Sequence, residues 1–202
     1  MLKSTKPAPK FINMADKKSI KCVDFTWSKA SDLYELSGYQ VNYKPAGAEQ
    51  YRPVMGSLSI APNTGKYFFE YRINCDNTRV GFCTDKVDLD AEMGQASECA
   101  SLNMQTGAVE TNGIEVKRLW RQVTPISGGL LGFMFDSQDG TGQVYFNGEF
   151  IGTAFGAECS LQGKTVYPCV GLAGMEVNNR NIGVGKKTAV VTQSPSLYKI
   201  MV

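Results

Sequence analysis

The segment over residues 128–155 constrains the fold of this chain more than any other. Within it, the β-favouring runs 144–146 and 149–151 are separated only by Asn147-Gly148. The type I′ turn that joins two strands directly needs a positive φ at both central residues, and Asn-Gly adopts this conformation at little steric cost. The segment therefore predicts a β-hairpin.

A further strand is predicted just before this hairpin, over residues 130–136. The run is apolar on both faces, which is typical of a strand buried inside a sandwich. The link over residues 137–142 consists of turn-forming residues throughout. We therefore expect the strand over residues 130–136 to pair with the hairpin.

Short strand patterns separated by glycine-rich turns continue through the chain, and no helical period longer than two turns is evident. In the run 67–73, Glu70 and Arg72 share one face, so the opposite face is expected to point into the core. That face carries Tyr67, Phe69, Tyr71 and Ile73. Shorter strands are predicted over residues 79–83, 100–104, 108–111, 166–172 and 181–185, with a long connection over residues 113–127. This spacing indicates one all-β domain, an antiparallel sandwich or barrel, without an internal repeat or linker.

The positive charge of the chain is concentrated near its beginning. Residues 1–21 contain six lysines against Asp16 alone, whereas the whole chain has a formal net charge of only +2. This segment lacks arginine and an apolar signal stretch, and Pro7 and Pro9 interrupt any helix. A tail that is solvated or bound to a partner is therefore favoured over an import signal. We predict a basic tail over residues 1–21, one sandwich domain over residues 22–190 and a C-terminal tail over residues 191–202.

The absence of histidine and the wide spacing of the cysteines argue against catalysis and metal binding. The chain has no histidine, which removes the Ser-His-Asp and Cys-His nucleophile systems and the imidazole general base. Its six cysteines form no Cys-x-x-Cys pair, so buried free thiols in a reducing compartment are expected rather than a zinc site. No phosphate-binding loop and no pair of catalytic carboxylates can be assigned. We therefore predict a non-enzyme without a cofactor or metal.

The same features bear on where the protein resides. No stretch approaches the roughly 18 apolar residues that a membrane-spanning segment needs, so no membrane association is expected. The chain also has no N-glycosylation sequon. An intracellular location is predicted, with the cytoplasm favoured and the mitochondrion and nucleus left open.

An acidic run allows two interpretations. Its members are Asp85, Asp88, Asp90 and Glu92. Such a run is typical of a solvated loop, but it is also suited to holding a cation or a basic partner.

Trp120 allows three interpretations, because it stands among the basic residues Lys117, Arg118 and Arg121. The tryptophan could stack on nucleic-acid bases beside these cations. It could instead contact a protein, since Trp and Arg are enriched in interface hot spots. In the third interpretation Trp120 packs onto the sandwich while its neighbours remain in water.

Several motifs of the chain follow one another in an order that is specific although each motif alone is weak. They are GKYFFE at residues 65–70, RVGF at 79–82, LGFMFD at 131–136, VYFNG at 144–148 with GTAF at 152–155, and YPCV at 167–170. In these motifs the chain resembles the SPRY family of β-sandwich interaction domains. The resemblance implies two curved antiparallel sheets of the concanavalin-like jelly-roll type, with a binding surface made of loops at one edge.

The resemblance also suggests which residues contact a partner. It indicates the loop over residues 51–55, the turn at residues 78–79 and the segment 172–176, to which Trp120 is added from its own cluster. The candidate partner-binding residues are Tyr51, Arg52, Thr78, Arg79, Trp120, Met175 and Glu176.

These observations predict a non-catalytic protein–protein interaction domain that acts as an adaptor, a scaffold or a subunit of a larger intracellular assembly. The expected partner is a protein, either a peptide or a larger complex. The alternative is an RNA- or ribonucleoprotein-associated subunit anchored by the basic tail. A carboxylate-based enzyme is a third interpretation, and no motif supports it.

Overall fold

The computed structural model describes residues 20–44, 50–73, 78–120, 129–173 and 190–193 of the 202-residue chain. In these ranges strands alternate with turns, and a three-residue three-ten helix lies at Ala157–Cys159. The strands are β1 Ile20–Cys22, β2 Trp27–Lys29, β3 Tyr34–Ser37, β4 Gln40–Tyr43, β5 Val54–Gly56, β6 Lys66–Ile73, β7 Thr78–Cys83, β8 Cys99–Asn103, β9 Ala108–Thr111, β10 Ile114–Arg118, β11 Leu130–Asp136, β12 Thr141–Phe146, β13 Glu149–Phe155, β14 Tyr167–Leu172 and β15 Val190–Gln193.

The described strands form two open sheets that pack face to face. The first sheet has the order β13-β12-β11-β6-β15-β4-β3, with β1 also paired to β6, and the second has the order β10-β9-β8-β7-β14-β5-β2. Neighbouring strands run antiparallel, except that β1 pairs with β6 in parallel, which the sequence did not predict. The predicted all-β antiparallel sandwich is confirmed.

The predicted hairpin and the strand before it lie side by side as β11, β12 and β13. Asn147 and Gly148 have φ values of 49° and 82°, both positive, as a type I′ turn requires. The Leu130 N–H donates to the Asn147 side-chain oxygen over 3.0 Å, and the Asn147 N–H donates to the Leu130 carbonyl over 2.8 Å. The turn is thus fastened to the beginning of β11.

The Gly148→Ala substitution is expected to lower the free energy of unfolding by about 1 kcal/mol. A Cβ at a positive φ approaches the backbone too closely for an ordinary L-residue. Gly148→Asn is the matched control and is expected to lose less, because asparagine tolerates this conformation. Urea denaturation of the two variants checks the order, and equal losses would contradict the assigned turn geometry.

The core between the sheets is built mainly from aromatic rings. Tyr67, Phe69 and Tyr71 of β6 point inward as predicted, while the side chain of Ile73 lies outside the described part. The Phe69 ring lies 5.8 Å from that of Phe133 on β11 and 6.0 Å from that of Phe82 on β7, measured between ring centroids. Rings from both sheets therefore interdigitate, which accounts for the alternating pattern along these strands.

A second apolar layer covers the outer face of the second sheet. Residues 84–98, the covering loop, cross this face and insert Met93 among Met55, Cys83, Cys99 and Cys169. Small residues on the strands make room for the loop. At Gly171, for example, a Cβ would lie only 3.0 Å from the Met93 sulfur. The covering loop, which carries the acidic run, is therefore held against the sheet through its apolar residues.

The cysteines partly follow the prediction of buried free thiols. Cys83, Cys99, Cys159 and Cys169 are buried and free, whereas Cys22 is free but exposed, contrary to that prediction. The Cys99 and Cys169 sulfurs are 3.8 Å apart. Burial, together with the neighbouring thiols Cys83 and Cys99, raises the pKa of Cys169, so this thiol stays protonated and unreactive at neutral pH. Cys75 lies outside the described residues.

Several details of the predicted layout need correction. The predicted long connection over residues 113–127 begins with a strand, β10, which pairs with β9. Residues 78 and 79, predicted as a turn, already belong to β7, and residues 54 and 55 of the predicted loop belong to β5. Strands β1 and β15 cross the predicted limits at residues 22 and 190. The strand predicted over residues 181–185 lies outside the described residues.

Candidate functional site

The described candidate residues lie along one end of the second sheet. Leu172, the last residue of β14, pairs with Thr78, the first residue of β7. The Met104 N–H, just after β8, donates to the Thr78 carbonyl over 3.0 Å. Arg52 precedes β5 at the same end, and the Trp120 ring covers Gly107 in the turn between β8 and β9. Residues that are far apart in sequence therefore lie together at this end of the second sheet.

The hydroxyl of Tyr34 joins two backbone segments at this end of the second sheet. Tyr34 begins β3 in the first sheet, and its oxygen accepts hydrogen bonds from the N–H groups of Arg52 (3.1 Å) and Leu172 (3.2 Å). It lies equally close to their carbonyl oxygens, at 3.0 Å and 2.9 Å, and donates its single hydrogen to one of them. Burial raises the pKa of the Tyr34 hydroxyl above its ordinary value, so it remains protonated.

The Arg52 side chain is fixed between two carboxylates. Its Nη1 lies 2.8 Å from an oxygen of Asp90 in the covering loop and 3.6 Å from an oxygen of Asp32. The arginine side chain is 22% exposed, whereas both aspartates are largely exposed. An arginine held in one position and partly open to solvent is well suited to contact a partner.

Arg79 occupies a more enclosed position, with its side chain only 13% exposed. Its Nη1 pairs with the Glu110 carboxylate on β9, and its Nε lies 3.8 Å from an oxygen of Glu92. The guanidinium also lies over the Tyr51 ring, 5.1 Å from the centroid. The Tyr51 N–H in turn donates to Glu92 over 3.0 Å. Tyr51, Arg79 and the covering loop therefore form one connected unit.

An open recess of about 460 Å³ adjoins this unit. Its lining residues are Arg79, Glu92, Gly94, Gln95, Glu110 and Gly113. Burial raises the pKa of Glu92, and the nearby negative charge of Glu110 raises it further, although the Tyr51 N–H and Arg79 act in the opposite direction. The recess is thus a polar site with two carboxylates and one guanidinium.

The packing of Trp120 agrees with the third interpretation, in which the tryptophan packs onto the sandwich. Its ring packs partly buried against the core. Of its basic neighbours, Lys117 donates to the Thr153 carbonyl over 2.6 Å, and Arg118 pairs with Glu115 through distances of 2.6 and 2.9 Å. These two cations already have protein partners, while Arg121 lies outside the described residues.

The remaining candidates differ in accessibility. Thr78 is buried, so its side chain helps to build the sheet end rather than to form exposed surface. Met175 and Glu176 lie outside the described residues, so the structure does not place them. Of the predicted segment 172–176, the structure describes Leu172 and Ala173, and both are buried.

The structure adds residues that the sequence did not nominate for this surface. Tyr34, Asp32 and Glu110 come from three separate strands or turns, and no motif links them to Arg52 or Arg79. Asp90 and Glu92 belong to the acidic run, whose charge was the one signal that could have indicated them.

The described residues contain no group of three Cys, Asp or Glu side chains arranged to hold a metal ion. A smaller cavity of about 70 Å³ lies beside Thr84, Glu98, Cys159 and Lys164. No helix in the described ranges is long and apolar enough to cross a membrane.

Comparison with known proteins identifies the fold. No protein-family model matches the sequence, and no curated protein matches it. Among solved structures, the SPRY domain of human HERC1 is 17% identical with a TM-score of 0.55, and the alignment covers 79% of this chain and 89% of that one. The TRIM65 PSpry domain is 16% identical with a TM-score of 0.58, covering 86% and 93% of the two chains. A human SPRY domain is 14% identical with a TM-score of 0.58, covering 82% and 96%. The likeness lies in the backbone rather than in the sequence, and this chain has the fold of a SPRY domain.

Proposed function

We propose that this protein is a non-catalytic interaction domain that binds a protein partner through the end of its second sheet. The binding surface, here called the sheet-end surface, consists of Tyr51, Arg52, Arg79 and the covering loop. The observation that carries the proposal is the fixed position of two arginines and a tyrosine at this edge. Arginine and tyrosine are among the residue types most enriched in interface hot spots.

Preorganisation supports this role. The Tyr34 hydroxyl fastens the backbone at Arg52, and carboxylates orient both guanidinium groups. Side chains that are already ordered lose less conformational entropy when a partner binds. A rigid sandwich that presents such loops can bind without rearranging its core.

A nucleic-acid partner is less favoured by the described residues. Lys117 and Arg118 beside Trp120 are engaged with the protein itself. The sheet-end surface is dominated by carboxylates, which repel a phosphate backbone. We therefore propose an intracellular adaptor or complex subunit whose partner is a protein.

Replacing Arg52 by alanine is expected to weaken binding of the protein partner by about tenfold or more, as for a hot-spot arginine. The tagged domain is used to purify partners from native cells, and each partner is then titrated against the purified variants by calorimetry. Arg72→Ala is the matched control, because Arg72 is exposed on the first sheet. If every partner keeps its affinity for the Arg52→Ala variant, this surface is not the binding site.

A further inference from the structure

We propose that the recess beside Arg79 receives a basic side chain, lysine or arginine, from the protein partner. This inference rests on the proposed function and adds the chemistry that the partner must present. The fold alone does not explain the acidic run, and this inference gives its member Glu92 a role.

The charges around the recess are not balanced. Two carboxylates, Glu92 and Glu110, face one guanidinium, that of Arg79. Arg79 pairs closely with Glu110 but stays 3.8 Å from Glu92. The nearby Arg52 is engaged by Asp90 and Asp32. The lining therefore carries one negative charge in excess.

Arg79 is not free to move closer to Glu92. Its guanidinium is held between Glu110 and the Tyr51 ring, and a Cβ at Gly94 would collide with both Arg79 and Glu110. Burial and the charge of Glu110 raise the pKa of Glu92, so its ionised form is less well stabilised here than in water. A cation placed in the recess would stabilise that form.

The shape of the recess suits a long side chain. Gly94 and Gly113 stand in its wall without side chains, and the Gly113 N–H donates to the Gly94 carbonyl over 2.9 Å. The covering loop and the β9–β10 turn are thereby joined on one side of the opening. The amide of Gln95 adds a neutral hydrogen-bonding group. Ammonium and guanidinium groups carry only donors, which match the carboxylate oxygens.

The surroundings favour the same partner. The covering loop contains five acidic residues and one lysine. A negative rim of this kind raises the rate at which a basic peptide encounters the surface. Charge complementarity therefore acts both in the recess and around it.

Hexalysine and hexaarginine peptides serve as probes, with hexaglutamate as the negative comparison. In the unsubstituted domain, amide resonances of Gly94, Gln95 and Gly113 are expected to shift on titration with either basic peptide. The pKa of Glu92, followed by carbon-detected NMR, is expected to fall in the presence of the peptide, because a nearby cation favours the carboxylate. Shifts scattered over the surface without a change at Glu92 would overturn the proposal.

Variants separate a specific site from simple charge attraction. Glu110→Gln is expected to weaken binding of the basic peptides about tenfold, as expected for loss of one member of a close charge pair. Asp139→Asn is the matched control, since it removes the same charge from an exposed turn and is expected to have little effect. Equal weakening by both variants would show that only net charge matters. The Glu92 titration uses the unsubstituted domain and decides the question even if the Glu110 variant unfolds.

The partner identified through the Arg52 experiment distinguishes the two proposals. If Arg52→Ala weakens its binding while Glu110→Gln does not, the interaction surface stands and the basic-side-chain inference is wrong. If no protein partner depends on Arg52, the proposed function fails, whatever the peptides show.

Discussion

Replacing Phe133 by alanine is expected to lower the free energy of unfolding by about 3–5 kcal/mol, the range for a large aromatic residue removed from a core. Phe133 is 1% exposed, and its ring lies 5.5 Å from Tyr71, 6.1 Å from Phe82 and 6.3 Å from Phe155, centroid to centroid. Rings from both sheets thus lose contacts at once, and the space left between them cannot close fully.

Urea denaturation followed by tryptophan fluorescence measures this loss. Phe150→Ala is the matched control, because Phe150 is 58% exposed on β13, and a change within about 0.5 kcal/mol is expected there. Similar losses for the two variants would mean that Phe133 does not occupy the centre of the sandwich.

The Tyr34→Phe substitution is expected to lower the free energy of unfolding by about 2–3 kcal/mol. It removes only one oxygen, but the backbone N–H groups of Arg52, which is part-buried, and of Leu172, which is buried, both lose their acceptor. Unsatisfied buried donors carry the full desolvation penalty. Because the same hydroxyl positions Arg52, partner binding is expected to weaken as well.

Tyr39→Phe is the control for Tyr34, since Tyr39 is 44% exposed and a loss below about 0.5 kcal/mol is expected. Amide hydrogen exchange at Arg52 and Leu172 gives a second readout, and protection at both amides is expected to drop in the Tyr34 variant. Unchanged protection would show that the hydroxyl does not fix the backbone at Arg52 and Leu172.

Much of the fold could be predicted from the sequence, because the central strands bury one or both faces. This burial produces alternating or continuous apolar runs that can be recognised in the sequence. The inward-facing rings of β6 alternate with residues that include Glu70 and Arg72, and the Asn147-Gly148 turn specifies its own geometry. Strand β10 was missed because it lies at a sheet edge and its side chains are mostly exposed, so burial leaves no alternation to recognise. Strands β1, β2 and β5 have only three residues each, too few to establish a period.

The candidate surface could be predicted only in part. Arg52 and Arg79 were found through a family resemblance, and the acidic run was noticed for its charge. Tyr34 could not be recognised, since nothing local to a tyrosine at the start of a short strand indicates a hydrogen bond to Leu172. In the sequence, nothing distinguishes Glu110 from an ordinary polar residue of a strand. Its importance follows only from the sheet order, which places it beside Arg79.

The hydrogen bonds of the Tyr34 hydroxyl also join an early part of the chain to a late one. Tyr34 and Leu172 are separated by 138 positions along the chain, so their hydrogen bond requires almost the whole sandwich to have left the ribosome. Contacts of such long sequence separation form slowly, because a large loop must close before they are made. A nascent or shortened chain without Leu172 therefore lacks one of the hydrogen bonds at the Tyr34 hydroxyl, which also binds the backbone of Arg52. Under the proposed function, only fully folded copies of the domain would present the complete sheet-end surface.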